Sequence, residues 1–193
     1  MNTSAPKICR PALLLDRDGV INIDHAYVNK PEDFIFIDGI FELCRKASQL
    51  GYLIFVITNQ SGIGRGLYTE HDFLKLTDWM NQVFKTQGIN IDKVYFCPFH
   101  PEHGVGDYKK VSLCRKPAPG MIYKAAREFD IDLAGSVLVG DKETDIQAGA
   151  AAGVGCNLLY LPSGLGDTGE TLASAVVEDL VEINKFLCPL DKL

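Results

Sequence analysis

Two carboxylates at positions i and i+2, Asp16 and Asp18, directly follow an apolar run in LLLDRDGVIN. Burying one unpaired carboxylate is costly and a second beside it raises the cost, so such a pair calls for a cation or a shared proton. Asp-x-Asp also occurs in calcium loops, in nucleotide-sugar transferases and on strand ends by chance, so the rest of the chain has to decide. Thr58 and Asn59 close the apolar stretch YLIFVITN, Asp141 closes SVLVGD with Asp145 a helical turn further on, and Lys116 lies in CRKPAPG. Together these types suit phosphoryl transfer. A carboxylate can attack phosphorus, a hard cation such as Mg²⁺ asks for further carboxylates, a hydroxyl and an ammonium neutralise the equatorial oxygens, and a second Asp moves protons.

Each residue has a structural rival. Thr58 suits a cap or a turn, Lys116 a solvated surface charge, and Asp141 and Asp145 the acidic start of a helix. Taken jointly, these rivals require four coincidences along one edge of the molecule.

That edge follows from the elements. Apolar runs of strand length recur at 12–16, 52–59, 93–97, 136–141 and 155–161, and helical spacing fills 39–50, 70–87, 118–130 and 143–152, with a last helix expected at 176–187. Thr69 followed by Asp72 suits a capped start for the second of these helices. Strands apolar on both faces, alternating with helices, predict an α/β fold: a doubly wound, Rossmann-like parallel sheet. Ligands in such sheets bind beyond the carboxyl ends of the strands, where Asp16, Thr58 and Asp141 fall. The stretch 162–170 reads as a surface loop.

With 193 residues, 47% hydrophobic and 23% charged, the chain suits a single domain spanning 1–193. Its formal charge of −6 and the lack of a Lys/Arg run argue against nucleic acid and anionic membranes as partners. No apolar run reaches the ~18 residues of a membrane span, so a cytoplasmic protein without a signal peptide is expected. The six cysteines are spread through a chain with a full core, which predicts no structural disulfide.

The motifs DRDGVIN, VITNQSGIGRG, CRKPAPG and VGDKETD, in this order, resemble the four motifs of the haloacid dehalogenase superfamily of phosphatases. Within it the chain is similar to the heptose bisphosphatases and their histidinol-phosphatase-like relatives. The resemblance implies Asp16 as nucleophile and Asp18 as general acid/base. It implies Mg²⁺ held by Asp16, Asp141 and the backbone oxygens of Asp18 and Lys142, with Thr58 and Lys116 on the phosphoryl group and Asp145 supporting the site from behind.

Little sequence is left over for an inserted cap, so a capless monomer is expected whose specificity comes from loops. Asp24, His25 and Tyr27 in the first loop offer hydrogen bonds and a ring edge to a sugar, and Ala26 stands where glycine is common in the family. Asn59, Gln60 and Ser61 open a glycine-rich stretch suited to an anion. Arg115 offers a fork for a second, non-reacting phosphate, which favours a small sugar bisphosphate as substrate over histidinol phosphate or another phosphomonoester. A phosphomutase or an idle sugar-phosphate sensor is the remaining alternative. The family's zinc pattern is half retained. Cys97 and Cys114 match, but Phe99 and Ser112 replace ligands, so zinc is not expected, and a site rebuilt from Cys97, His100, His103 and Cys114 would need a different loop path.

Overall fold

The computed structural model describes residues 9–162 and 170–189. The loop expected at 162–170 lies almost wholly outside the described residues. Six parallel strands form one sheet: β1 (Ala12–Leu15), β2 (Leu53–Asn59), β3 (Lys93–Cys97), β4 (Val137–Gly140), β5 (Cys156–Tyr160) and β6 (Ala175–Val177), in the order β3-β2-β1-β4-β5-β6. β1 is central, and the order reverses between β1 and β4.

Successive strand side chains point to opposite faces, so β1 feeds two cores. Leu13 and Leu15 pack into a core with α1 (Ile40–Gln49) and α3 (Glu70–Thr86), through Leu43, Met80 and Phe84 among others. Ala12 and Leu14 pack on the opposite face with α4 (Gly120–Phe129) and α5 (Glu143–Ala152), through Ile122 and Ile146. All described elements belong to this sheet and its covering segments, and none forms a separate cap.

The expected five strands and first four helices are present. The expected last helix at 176–187 is corrected: Ala175–Val177 pairs with β5 as β6, and Leu180–Phe186 forms a 3₁₀ helix started by Asp179, which accepts a hydrogen bond from the Val181 N–H at 2.8 Å. β-branched Val176 and Val177 suit a strand, and a 3₁₀ turn stacks i and i+3, so it buries Leu180 and Ile183 on the spacing that reads as helical. Inside the glycine-rich stretch the chain forms one short helix, α2 (Ser61–Gly64). Any side chain at Gly62 would collide with the ring of Tyr68, so glycine there permits close packing.

Candidate active site

β1 ends where the Asp16 N–H donates to the Val139 carbonyl across the switch point, at 3.0 Å. The chain then wraps into a tight turn in which the Arg17 carbonyl accepts from the N–H groups of Ile21 and Asn22 at 2.8 and 3.1 Å. Gly19 makes the turn possible. Its φ of +94° favours glycine, and a Cβ there would strike the Asp141 carboxylate, so the two strand ends can approach only over a bare backbone.

Lys116 organises the cleft floor. Its ammonium is buried and spends its three donors on the Ile57 carbonyl at 2.7 Å, Asp16 Oδ1 at 2.8 Å and Asp145 Oδ1 at 2.6 Å. Burial works against its charge, but Asp145 and then Asp16 outweigh this and hold it above the ordinary lysine value. Asn59 clamps the Lys116 backbone, donating to its carbonyl and accepting from its N–H, both at 3.1 Å. Asp145 also accepts the Lys142 N–H at 3.0 Å, which ties α5 to the site.

Asp141, at the end of β4, completes a group with Asp16 and Asp145 whose carboxylate oxygens lie within 4.8 Å of one another; among the described residues it is the one such acidic, His or Cys cluster. Burial, and then the Asp16 charge, push the Asp141 carboxyl up to about 7. Burial likewise raises Asp16, against the pull of Lys116. Asp141 Oδ1 is buried without a partner. An orphaned carboxylate oxygen beside a second carboxylate is an environment that fits a hard divalent cation.

The Asp18 carboxylate lines the cleft but makes its hydrogen bonds outside this cluster. Arg17 grips it with Nη2 at 2.7 and 2.8 Å, Asn22 donates at 3.1 Å, and Gln60 Nε2 donates at 3.0 Å. Gln60 also donates to Thr58 Oγ1 at 2.9 Å and accepts from the Tyr68 hydroxyl at 2.6 Å. Arg17 and Tyr68 are functional neighbours that sequence reasoning missed. Arg17 is buried between Phe34 and Phe73, its guanidinium carbon 5.9 and 5.7 Å from their ring centres, and Nη2 reaches the Val28 carbonyl at 2.8 Å. The one available signal was an arginine between two aspartates at the end of a buried strand, where it must find partners or leave the core.

A cleft of about 440 Å³ opens above, lined by Asp16, Asp18, Thr58, Lys116 and Asp145 on the floor and by Asp24, Tyr27, Ser61 and Arg115 at the sides. Ala26 and Tyr27 have φ of 62° and 58°, the left-handed region where a glycine would cost less. His25 is not brought into the cleft; it is exposed beside Glu32 and Asp33 across the loop. Lys142 Nζ bridges Asp24 and Asp141 at 3.2 Å each, connecting this loop to the acidic cluster. Of the zinc-pattern residues, His100 and His103 lie together with ring centres 4.7 Å apart. His100 Nδ1 accepts the backbone N–H groups of Glu102 and His103 at 3.2 and 3.1 Å. The expectation of no disulfide is overturned at one pair: Cys97 and Cys114 are joined, with Cα atoms 5.6 Å apart. Pairing of β3 with β2 and the Asn59 clamp on Lys116 bring these two cysteines face to face.

The HAD-hydrolase-like family model matches residues 113–183. Over 91% of the chain and 93% of the relative, the sequence is 58% identical to a D-glycero-alpha-D-manno-heptose-1,7-bisphosphate 7-phosphatase of Burkholderia mallei. It is 45% identical to the corresponding beta-named phosphatase of Vibrio cholerae, covering 96% of this chain and all of that one. The fold is similar to the crystal structure of D,D-heptose 1,7-bisphosphate phosphatase from B. bronchiseptica complexed with magnesium and phosphate, with a TM-score of 0.75 and 32% identity over 91% of this chain and 96% of that one. The switch-point carboxylates, their buried lysine and these likenesses define a phosphatase of the haloacid-dehalogenase-like class. Within that class, the chain belongs to the D-glycero-D-manno-heptose 1,7-bisphosphate 7-phosphatase family.

Proposed function

We propose that the protein is a Mg²⁺-dependent phosphatase that removes the 7-phosphate of D-glycero-D-manno-heptose 1,7-bisphosphate through an aspartyl-phosphate on Asp16. The observation that carries this reading is the buried Asp16–Lys116–Asp145 network beside the unpartnered Asp141 oxygen, in a chain 58% identical to a phosphatase of that name. Asp16 attacks phosphorus, the bond from phosphorus to the C7 oxygen breaks, and Asp18 protonates the leaving alkoxide. Asp18 then takes a proton from water, which attacks the aspartyl-phosphate and frees Asp16 and inorganic phosphate. The Thr58 hydroxyl, which accepts from Gln60 and keeps its own proton to donate, holds a phosphoryl oxygen, and the charge of the Lys116 ammonium fixed against Asp16 steadies the phosphoryl group. Mg²⁺, held by Asp16, Asp141 and the backbone oxygens of Asp18 and Lys142, would neutralise charge on the transferring group.

The higher identity to the alpha-named relative favours the α anomer as substrate. The product would feed activated heptose for surface polysaccharide, made in the cytoplasm by a monomer acting on a soluble sugar phosphate. Phosphate release from both anomers and from histidinol phosphate, with Mg²⁺ and with EDTA, tests the reading. Magnesium-dependent release is expected, fastest from the α-bisphosphate, and Asp16→Asn should lower it by about a thousandfold or more. Faster release from histidinol phosphate, or full activity in EDTA, would overturn it.

A further inference from the structure

The cations around the cleft fall into two groups. Arg17 is paired with Asp18, Lys116 with Asp16 and Asp145, and Lys142 with Asp24 and Asp141, all within 3.2 Å. Arg65 and Arg115 have no carboxylate within ion-pair distance among the described residues. Arg65 is the residue that closes α2. Its guanidinium carbon stands 5.7 Å from the centre of the Tyr27 ring, a wall of the cleft, and its Nε is buried without an acceptor. Leaving a buried donor unspent costs stability, and a charged one costs more.

Arg65 stands against Tyr27 at the cleft's edge, whereas Arg115 lines the cleft itself and is steered by one hydrogen bond, from Nη1 to the Phe99 carbonyl at 3.2 Å. The two arginines are close enough to feel each other: burial first, and then the Arg65 charge, lower Arg115 from its ordinary value. His100 is lowered by burial and then by both guanidinium groups. Positive charge is thus gathered at one side of the cleft, where neither guanidinium has an ion-pair partner among the described residues and Glu102 acts on the neighbouring His100 only, while every cation on the floor is offset. An anion supplied from outside resolves both the repulsion and the unspent donor.

We infer that Arg65 acts with Arg115 as the subsite for the second, non-reacting phosphate of the substrate, so that Arg65 determines the preference for a bisphosphate over a monophosphate. This inference rests on the bisphosphate reading above and gives a role to a residue that reading leaves unassigned. The Arg65 guanidinium stands over the Tyr27 ring, so a sugar against that ring would bring its phosphate within reach of the arginine.

The test compares kcat and KM of the wild type, Arg65→Gln and Arg65→Lys on heptose 1,7-bisphosphate and on heptose 7-phosphate, with thermal melting as a check on folding. For Arg65→Gln the fall in kcat/KM on the bisphosphate should exceed that on the monophosphate by about tenfold or more, mainly through KM, and Arg65→Lys should recover part of it. Equal losses on both substrates, or none on either, would overturn the inference, because a purely structural stacking role for Arg65 is blind to the second phosphate. A wild type that turns over phosphomonoesters but not the bisphosphate would instead strike the underlying heptose reading.

Discussion

The Asp141 carboxyl, pushed up to about 7, is contested between a proton and a cation at neutral pH. A metal ion must displace that proton, so affinity should weaken as pH falls below about 7, by up to tenfold per unit, and level off above it. Titrating Mg²⁺ against turnover from pH 5.5 to 8.5 checks this, and an affinity flat across the range would contradict it. At this scale the sequence disclosed the reacting side chains, because Asp, Thr and Asp each closing an apolar run put polar groups at three strand ends that caps and surface charges alone do not require. It did not disclose what they are tied to. Asn59 and Gln60 read as substrate contacts, yet their hydrogen bonds go to Lys116, Asp18 and Thr58. The cradle of Arg17 needs Phe34 and Phe73, which meet it only in three dimensions.

Local rules hold well where an element carries its own signals. Thr69 Oγ1 accepts the Asp72 N–H at 3.1 Å and Asp72 Oδ2 accepts the Thr69 N–H at 3.0 Å, closing the start of α3 as the pair in the sequence suggests. Thr69→Ala should therefore lower stability by about 1 kcal/mol, read by urea denaturation, with kcat/KM left at the wild-type value since the Thr69 hydroxyl is engaged with Asp72. Helix α3 presents Phe73 to Arg17, so a larger loss of activity would mean that the cap also sets that contact. Elements without such signals were misread. The segment after β5 has an apolar spacing shared by α and 3₁₀ turns, and two β-branched valines are too short a signal to mark Ala175–Val177 as a strand without its pairing with β5. The disulfide escaped for a related reason: Cys97 and Cys114 are neighbours because two separate elements converge, and spacing along the chain does not report convergence.

Across the whole molecule, one sheet serves two cores, and β1 contributes alternate side chains to both. Neither core can open without exposing the strand they share, so unfolding should be a single cooperative transition. Trp79 reports on one face through its contacts with Phe34 and Phe36, at centroid distances of 5.5 and 5.9 Å. Its fluorescence and far-ultraviolet circular dichroism should give coincident urea curves, and separated midpoints would show that the two faces are independent units. The strand order carries a further consequence. Asp16 is among the first described residues, but its neighbour across the switch point is β4, and Lys116, Asp141 and Asp145 all belong to the later half of the chain. During synthesis on the ribosome the nucleophile therefore emerges long before anything that can arm it. A chain released before Asp145 carries the attacking group and no means of using it, so activity becomes a certificate that translation passed that residue.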